Sequence, residues 1–158
     1  MSVWPEILVI LALVGSALMA GTFFIFSTTV MKALAERPAA EGIQTMQAIN
    51  RVIINPLFIG SFMGTALLCL ATGVLALFGM GPFDSHWFLS AACFYLFGTF
   101  FYTVVRNVPL NDELEEVSAE QAPEYWQFYL QHWTRRNHHR TVSSILAVTF
   151  YAIGLLQM

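Results

Sequence analysis

Charge is what this sequence has least of. Only 11% of its 158 residues are Asp, Glu, Lys or Arg, seven basic against ten acidic. Soluble domains average about 25%, and a short compact chain leaves much of its surface to be covered. A soluble monomer is therefore excluded, and seven basic residues exclude a nucleic-acid-binding module. There is no glycine-rich phosphate loop, no Ser-His-Asp order and no Cys/His metal spacing. What is present is apolar: 57% hydrophobic residues and a mean hydropathy of +0.63 exclude a disordered segment.

The apolar residues fall into four charge-free runs, Ile7–Met31, Val52–Phe83, Ser85–Val105 and Thr141–Met158. A bilayer core takes about 20 residues of helix, and a spanning backbone must satisfy its own hydrogen bonds. The runs predict an all-α integral membrane four-helix bundle, one domain over 1–158, with spans near 6–30, 56–79, 86–106 and 139–157. The first run has no basic n-region and no A-x-A site, so it reads as a retained helix rather than a signal peptide. Trp4 and Pro5 read as an interfacial anchor and a helix start.

All seven Lys and Arg lie in the first and third connections. The positive-inside rule makes those connections cytoplasmic and puts both termini outside, in a multi-pass protein of the inner (plasma) membrane. Ala17-x-x-x-Gly21 and Gly60-x-x-x-Gly64 allow close helix approach, within the bundle in the favoured reading or between copies of a homo-oligomer. Cys69 and Cys93 are expected at similar depth, by default as unpaired buried thiols.

The cytoplasmic connections carry most of the information. In the first, Ile43, Met46, Ile49 and Ile53 recur at helical spacing and predict a short amphipathic helix. Asn55 then caps the second span, with Pro56 at its first position. The third connection is also predicted helical. Its acidic stretch starts at Asn111, read as a capping residue. Trp126, Tyr129, Leu130, Trp133 and Asn137 form one stripe of a helix that runs on into the fourth span. Such stripes usually form interfacial belts; the alternative is the wall of a pocket for a flat aromatic ligand.

Every Asn, every Arg and three of the four His lie on the cytoplasmic side. Helix ends converge there, so these groups can meet in one polar pocket. His138 or His139 suits a general base, Arg106 or Arg140 an oxyanion stabiliser, and the Asn amides can orient a carbonyl or hydroxyl. Metal or haem is disfavoured: His138 and His139, being sequential, point about 100° apart on a helix, and Arg136 shares a face with His132. His86, beside Trp87, reads as interfacial.

Several motifs together resemble the anthrone oxygenase-like family of small four-span membrane proteins. They are Gly21-Thr-Phe23-Phe24-x-Phe26-Ser27, Gly42-Ile-x-x-Met46-Gln47-x-Ile49-Asn50, Asn55-Pro56-x-Phe58, Arg106-Asn107-Val-Pro109-x-Asn111 and Trp126-x-x-Tyr129-x-x-x-Trp133-x-x-x-Asn137-His138-x-Arg140-Thr141. The resemblance implies a four-helix membrane protein. In fungal members of polyketide pathways it implies conversion of an anthrone to an anthraquinone with O2 and no evident metal or flavin. The matched polar positions are Asn50, Asn55, Arg106, Asn107, Asn111, Trp133, Asn137, His138 and Arg140. His139 and Arg136 depart from the pattern and make the site more basic.

The expected function is a cofactor-independent oxygenase acting with O2 on an anthrone-like or other flat phenolic substrate. His138 serves as base, Arg140 and Arg106 stabilise the enolate, and Asn50, Asn55, Asn107, Asn111, Trp126, Tyr129, Trp133 and Asn137 bind substrate. The alternative is a non-catalytic membrane protein that binds a lipid, quinone or partner protein through the same pocket. A transporter is disfavoured because no ionisable residue lies mid-membrane.

Overall fold

The structure of the chain, a computed structural model, describes residues 3–83, 86–117 and 122–158. Asp84 and Ser85, expected in the outer turn, lie outside the described residues. Five helices account for nearly everything else: α1 (Trp4–Ala35), α2 (Ala39–Ile53), α3 (Pro56–Leu77), α4 (His86–Glu115) and α5 (Ala122–Leu155). Around the bundle the order is α1, α3, α4, α5, with α5 closing back on α1. The amphipathic α2 lies across the basic end and buries Ile43 and Met46.

Local chemistry sets the element ends. Pro5 and Pro56 sit in the first turns of α1 and α3, where a missing N–H costs nothing. Asn55 caps α3 as expected, its Oδ1 accepting from the Leu57 and Phe58 amides. At the other end of α3, Gly79 takes φ 59°, and the Gly79 and Met80 amides donate to the Ala76 and Leu75 carbonyls. That is a Schellman closure, which a residue without a Cβ accommodates best.

Three helices, α1, α3 and α4, are long and apolar enough to cross a membrane. The span expected at 139–157 is not among them. It is the second half of α5, which completes the bundle but carries Thr141, Ser143 and Ser144, all buried against neighbouring helices rather than turned to lipid. The helix ends at Leu155, so even its last 18 residues take in His138, His139 and Arg140, which make it too polar to rank with the other three.

α4 also outruns its expected end near 106. It continues through Pro109 to Glu115, with wide π-helical turns at Phe94–Phe101 and Thr103–Asn107. Pro109 has no N–H for the Val105 carbonyl, and the π turn just before it absorbs the misfit. Asn111 is therefore inside a helix and does not cap one. A third π turn, Phe26–Val30, lets α1 carry on to Ala35.

Two apolar clusters hold the fold. One fills the bundle around Phe62, Cys69, Phe88, Tyr95 and Tyr151. The other lies at the basic end, around Met46, Leu110, Leu114, Trp126, Tyr129 and Trp133. Burying an aliphatic chain such as Leu114 away from water contributes about 1.5–3 kcal/mol. The close helix contacts use Gly15 against Thr65, Gly73 against Ala92, Gly98 against Ser143 and Gly154 against Phe88. The expected packing motifs do not serve this purpose. A Cβ at Gly21, Gly60 or Gly64 would meet nothing within 4 Å. Cys69 is buried and Cys93 exposed, both free, so the expectation of two buried thiols holds only for Cys69.

Candidate functional site

Helical phase decides which of the polar residues near the middle of α5 turn inward. Asn137 and Arg140, three residues apart, face the interior; His138 and His139 fall between them and are exposed. Asn137 Nδ2 donates to the Phe23 carbonyl at 2.7 Å and to Ser27 Oγ at 2.8 Å, while its Oδ1 accepts from Arg140 Nη2 at 2.7 Å. Ser27 in turn bonds Thr141, tying α1 to α5. Asn137 is fully committed and positions Arg140.

Arg140 is only 5% exposed. Its guanidinium lies 4.3 Å from the Phe23 ring centroid and 5.2 Å from the Trp133 ring, a cation–π arrangement on two faces. Nη1 reaches Thr103 Oγ1 at 3.4 Å, and Nε has no partner. Among the described residues the ion pairs are Arg37–Glu41 and Arg51–Glu115, so no carboxylate offsets this charge.

Arg140 borders a cavity of about 150 Å³ enclosed by all five helices. α1 contributes Phe23 and Phe26, α2 Met46, Ile49 and Asn50, α3 Phe58 and Phe62, α4 Thr103 and Val108, and α5 Trp133 and Arg140. Its exposed lining residues, Ile54, Ile59 and Val108, mark where it opens. The walls are apolar apart from Arg140, Asn50, Thr103, Thr22 and the Trp133 indole. Asn50 Nδ2 is buried and unpartnered.

Above the cavity lies an aromatic layer held by one amide oxygen. Asn111 Oδ1 accepts from Tyr129 OH and from Trp133 Nε1, each at 2.8 Å, which uses both its lone pairs. Trp126 stacks on Tyr129 with centroids 5.7 Å apart and closes against Gly42, where a Cβ would stand 2.6 Å from the indole. Burial pushes the Tyr129 phenol well above its ordinary range, so it stays a neutral donor. These rings form a packed core rather than the interfacial belt favoured from the sequence, and Trp133 alone of them reaches the cavity wall.

Of the residues expected at the site, Arg140, Asn50 and Trp133 line the cavity. Asn137, Asn111 and Tyr129 support those residues. Asn107 is 1% exposed, and both of its amide atoms lack partners, yet it is not among the lining residues. Asn55 is spent on its cap. The Arg106 side chain is exposed, and its carbonyl accepts from Arg136 Nη1. His138 lines a separate groove between α1 and α5, and His139 stacks on Tyr102 at 4.1 Å in another between α4 and α5. His132 Nδ1 lies 2.8 Å from the Phe128 carbonyl of its own helix. Among the described residues, no three His, Cys, Asp or Glu side chains cluster as a metal site would require.

Sequence reasoning passed over Phe23, Phe26, Met46 and Phe58 as lining residues. All four sit inside the motifs quoted above, so the signal was present in their apolar positions. Thr103 had no such signal.

The sequence model of the family described as anthrone oxygenase matches residues 57–150, more than half of the chain. The chain belongs to the anthrone oxygenase family. No curated protein and no solved structure matches it. The family match covers the α3, α4 and α5 walls of the cavity, including Phe58, Thr103, Trp133 and Arg140. The remaining walls, from α1 and α2, lie upstream of it.

Proposed function

We propose that this anthrone oxygenase family member oxidises a flat, acidic phenolic ketone of the anthrone type with O2 in the cavity beside Arg140. The observation that carries this reading is the buried guanidinium with no counterion, one N–H unpartnered, on the wall of an apolar cavity. A cation so placed favours an anionic ligand strongly, because little water screens it. An anthrone loses a proton from its CH2 carbon to give a delocalised enolate. Arg140 holds the enolate oxygen, Asn50 Nδ2 supplies a second donor, and Trp133, Phe23 and Phe26 pack on the rings.

The electron-rich anion passes one electron to O2, and the resulting pair joins through a new C–O bond. The peroxide takes up a proton and then loses water as its O–O and remaining C–H bonds break. One O2 is consumed, one H2O leaves, and CH2 becomes C=O. This sequence uses O2 as co-substrate and requires no resident cofactor. His138, given the role of base from the sequence, faces away from the cavity, so we assign the first proton to water at the cavity mouth.

The reading also takes the bilayer as the source of the hydrophobic substrate and O2. We infer from the positive-inside bias that the basic end is cytoplasmic in the inner (plasma) membrane, with both termini outside. A second reading, binding of a quinone or lipid without turnover, draws support from the lack of any histidine or carboxylate among the described lining residues. Oxygen-electrode traces with emodin anthrone and purified protein separate the two. Uptake above the spontaneous rate that disappears in Arg140→Met supports oxygenation. Saturable quenching of Trp fluorescence with no excess uptake leaves only binding.

A further inference from the structure

Seven Lys and Arg crowd the basic end, and most are already engaged. Arg37 and Arg51 pair with Glu41 and Glu115, Arg136 donates to a carbonyl, and Arg140 is buried. Lys32, Arg106 and Arg135 remain without an ion pair or side-chain hydrogen bond among the described residues. Two of these three share one groove. Lys32, from the last turn of α1, faces Arg135 and His138, one turn apart on α5, across a concavity of about 550 Å³. Met31, Ala35 and Leu130 supply its apolar surface.

The groove also sits at a defined level. Lys32 follows directly on the charge-free run ending at Met31, and His138 precedes the run beginning at Thr141 by one short turn. That is the level of the lipid headgroups for a bundle of this length. Unpaired cations against an apolar wall at that level match one ligand chemistry, a phosphate diester attached to acyl chains.

We propose that the α1–α5 groove is a binding site for the headgroup of an anionic phospholipid, separate from the Arg140 cavity. Lys32 and Arg135 hold the phosphate from opposite sides and His138 adds a third nitrogen. Ser27 forms part of the groove and also accepts from Asn137 Nδ2, so a bound lipid clamps the seam that positions Arg140. This site does not depend on the chemistry proposed for the cavity.

Native mass spectrometry and thermal unfolding of the full chain in detergent, with phosphatidylglycerol or phosphatidylcholine added, test the site. Phosphatidylglycerol should be retained and should raise the unfolding temperature, phosphatidylcholine much less. Lys32→Ala and Arg135→Ala should each weaken retention about fivefold, the worth of one surface cation near an anionic lipid. Both residues lie at the surface, so the double variant should keep the wild-type helical circular dichroism. Arg106→Ala removes the same charge outside the groove and should retain the lipid. Equal retention of both lipids, full retention by the double variant, or loss in Arg106→Ala as large as in the groove variants overturns the proposal. Equal stabilisation by inorganic phosphate overturns it as well, because the ligand would then be a free anion.

Discussion

Two polar regions lie at different levels of this bundle, and they are built on opposite terms. In the interior of the bundle, polar side chains of the described residues are paired across helices. Thr72 meets Tyr151 at 2.6 Å, Thr99 meets Ser144 at 2.9 Å, Tyr95 donates to the Phe62 carbonyl and Ser16 contacts Cys69. At the basic end, Asn50, Asn107, Trp126 and Arg140 keep buried nitrogen or oxygen atoms without partners. Orphaned groups of this kind are expensive, and among the described residues all of them apart from Glu6 Oε2 fall in this one region. Paired groups hold helices together; of the unpaired ones, Asn50 and Arg140 border the cavity and are available to a ligand.

The comparison is broken most directly at Arg140. Arg140→Met is expected to cut turnover about 10²–10³-fold, the usual cost of removing one oxyanion donor. Its thermal stability should stay level or rise, because an uncompensated buried charge is lost. If instead the variant unfolds at markedly lower temperature with activity per folded molecule unchanged, Arg140 belongs with the structural groups.

Asn137 joins the two behaviours, since it ties α1 to α5 and also holds the guanidinium. Asn137→Ala should lose about 1–3 kcal/mol of stability, as expected for stranding buried partners, and should weaken ligand binding too. Chemical denaturation in detergent, read beside fluorescence titration with an anthraquinone, checks both effects.

A smaller change is expected in the interior. Tyr151→Phe removes one interhelical contact, worth about 0.6–2 kcal/mol in membrane bundles, and should leave cavity affinity untouched. A shift in affinity comparable to that of Asn137→Ala would mean that the two regions are coupled. The smallest effect belongs to His138→Ala, which should not alter O2 uptake measurably. A collapse of uptake there would restore the imidazole as base and require α5 to turn about its axis.

Much of the fold was readable from the sequence because charge marks the ends of apolar runs. The starts of α3 and α4 follow from Pro56 and His86, and the amphipathic α2 from Ile43 and Met46. The ends of α1 and α4 were not readable, since π turns carry both helices past the first charged residue. The stretch expected as a fourth span, 139–157, is helical to Leu155 as the second half of α5, but it is not among the helices apolar enough to cross a membrane. At the site, residue types were legible and directions were not. Asn137, His138, His139 and Arg140 are consecutive polar residues, and only the rotational setting of α5 separates the inward pair from the outward pair. Asn111 looked like a cap because Asp112, Glu113, Glu115 and Glu116 follow it. Its use as an acceptor for two rings depends on α5, well downstream in the chain.

That rotational setting has a mechanical consequence. α5 is one uninterrupted rod of 34 residues, from the aromatic layer to the far end of the bundle. The Asn111 amide fixes its angle through Tyr129 and Trp133, two turns above Arg140 at the latter's face of the helix. The layer therefore acts as an indexing pin on a spindle. Slipping it by a single residue would rotate the rod by about 100°, withdraw the guanidinium from the cavity and bring a histidine toward its place.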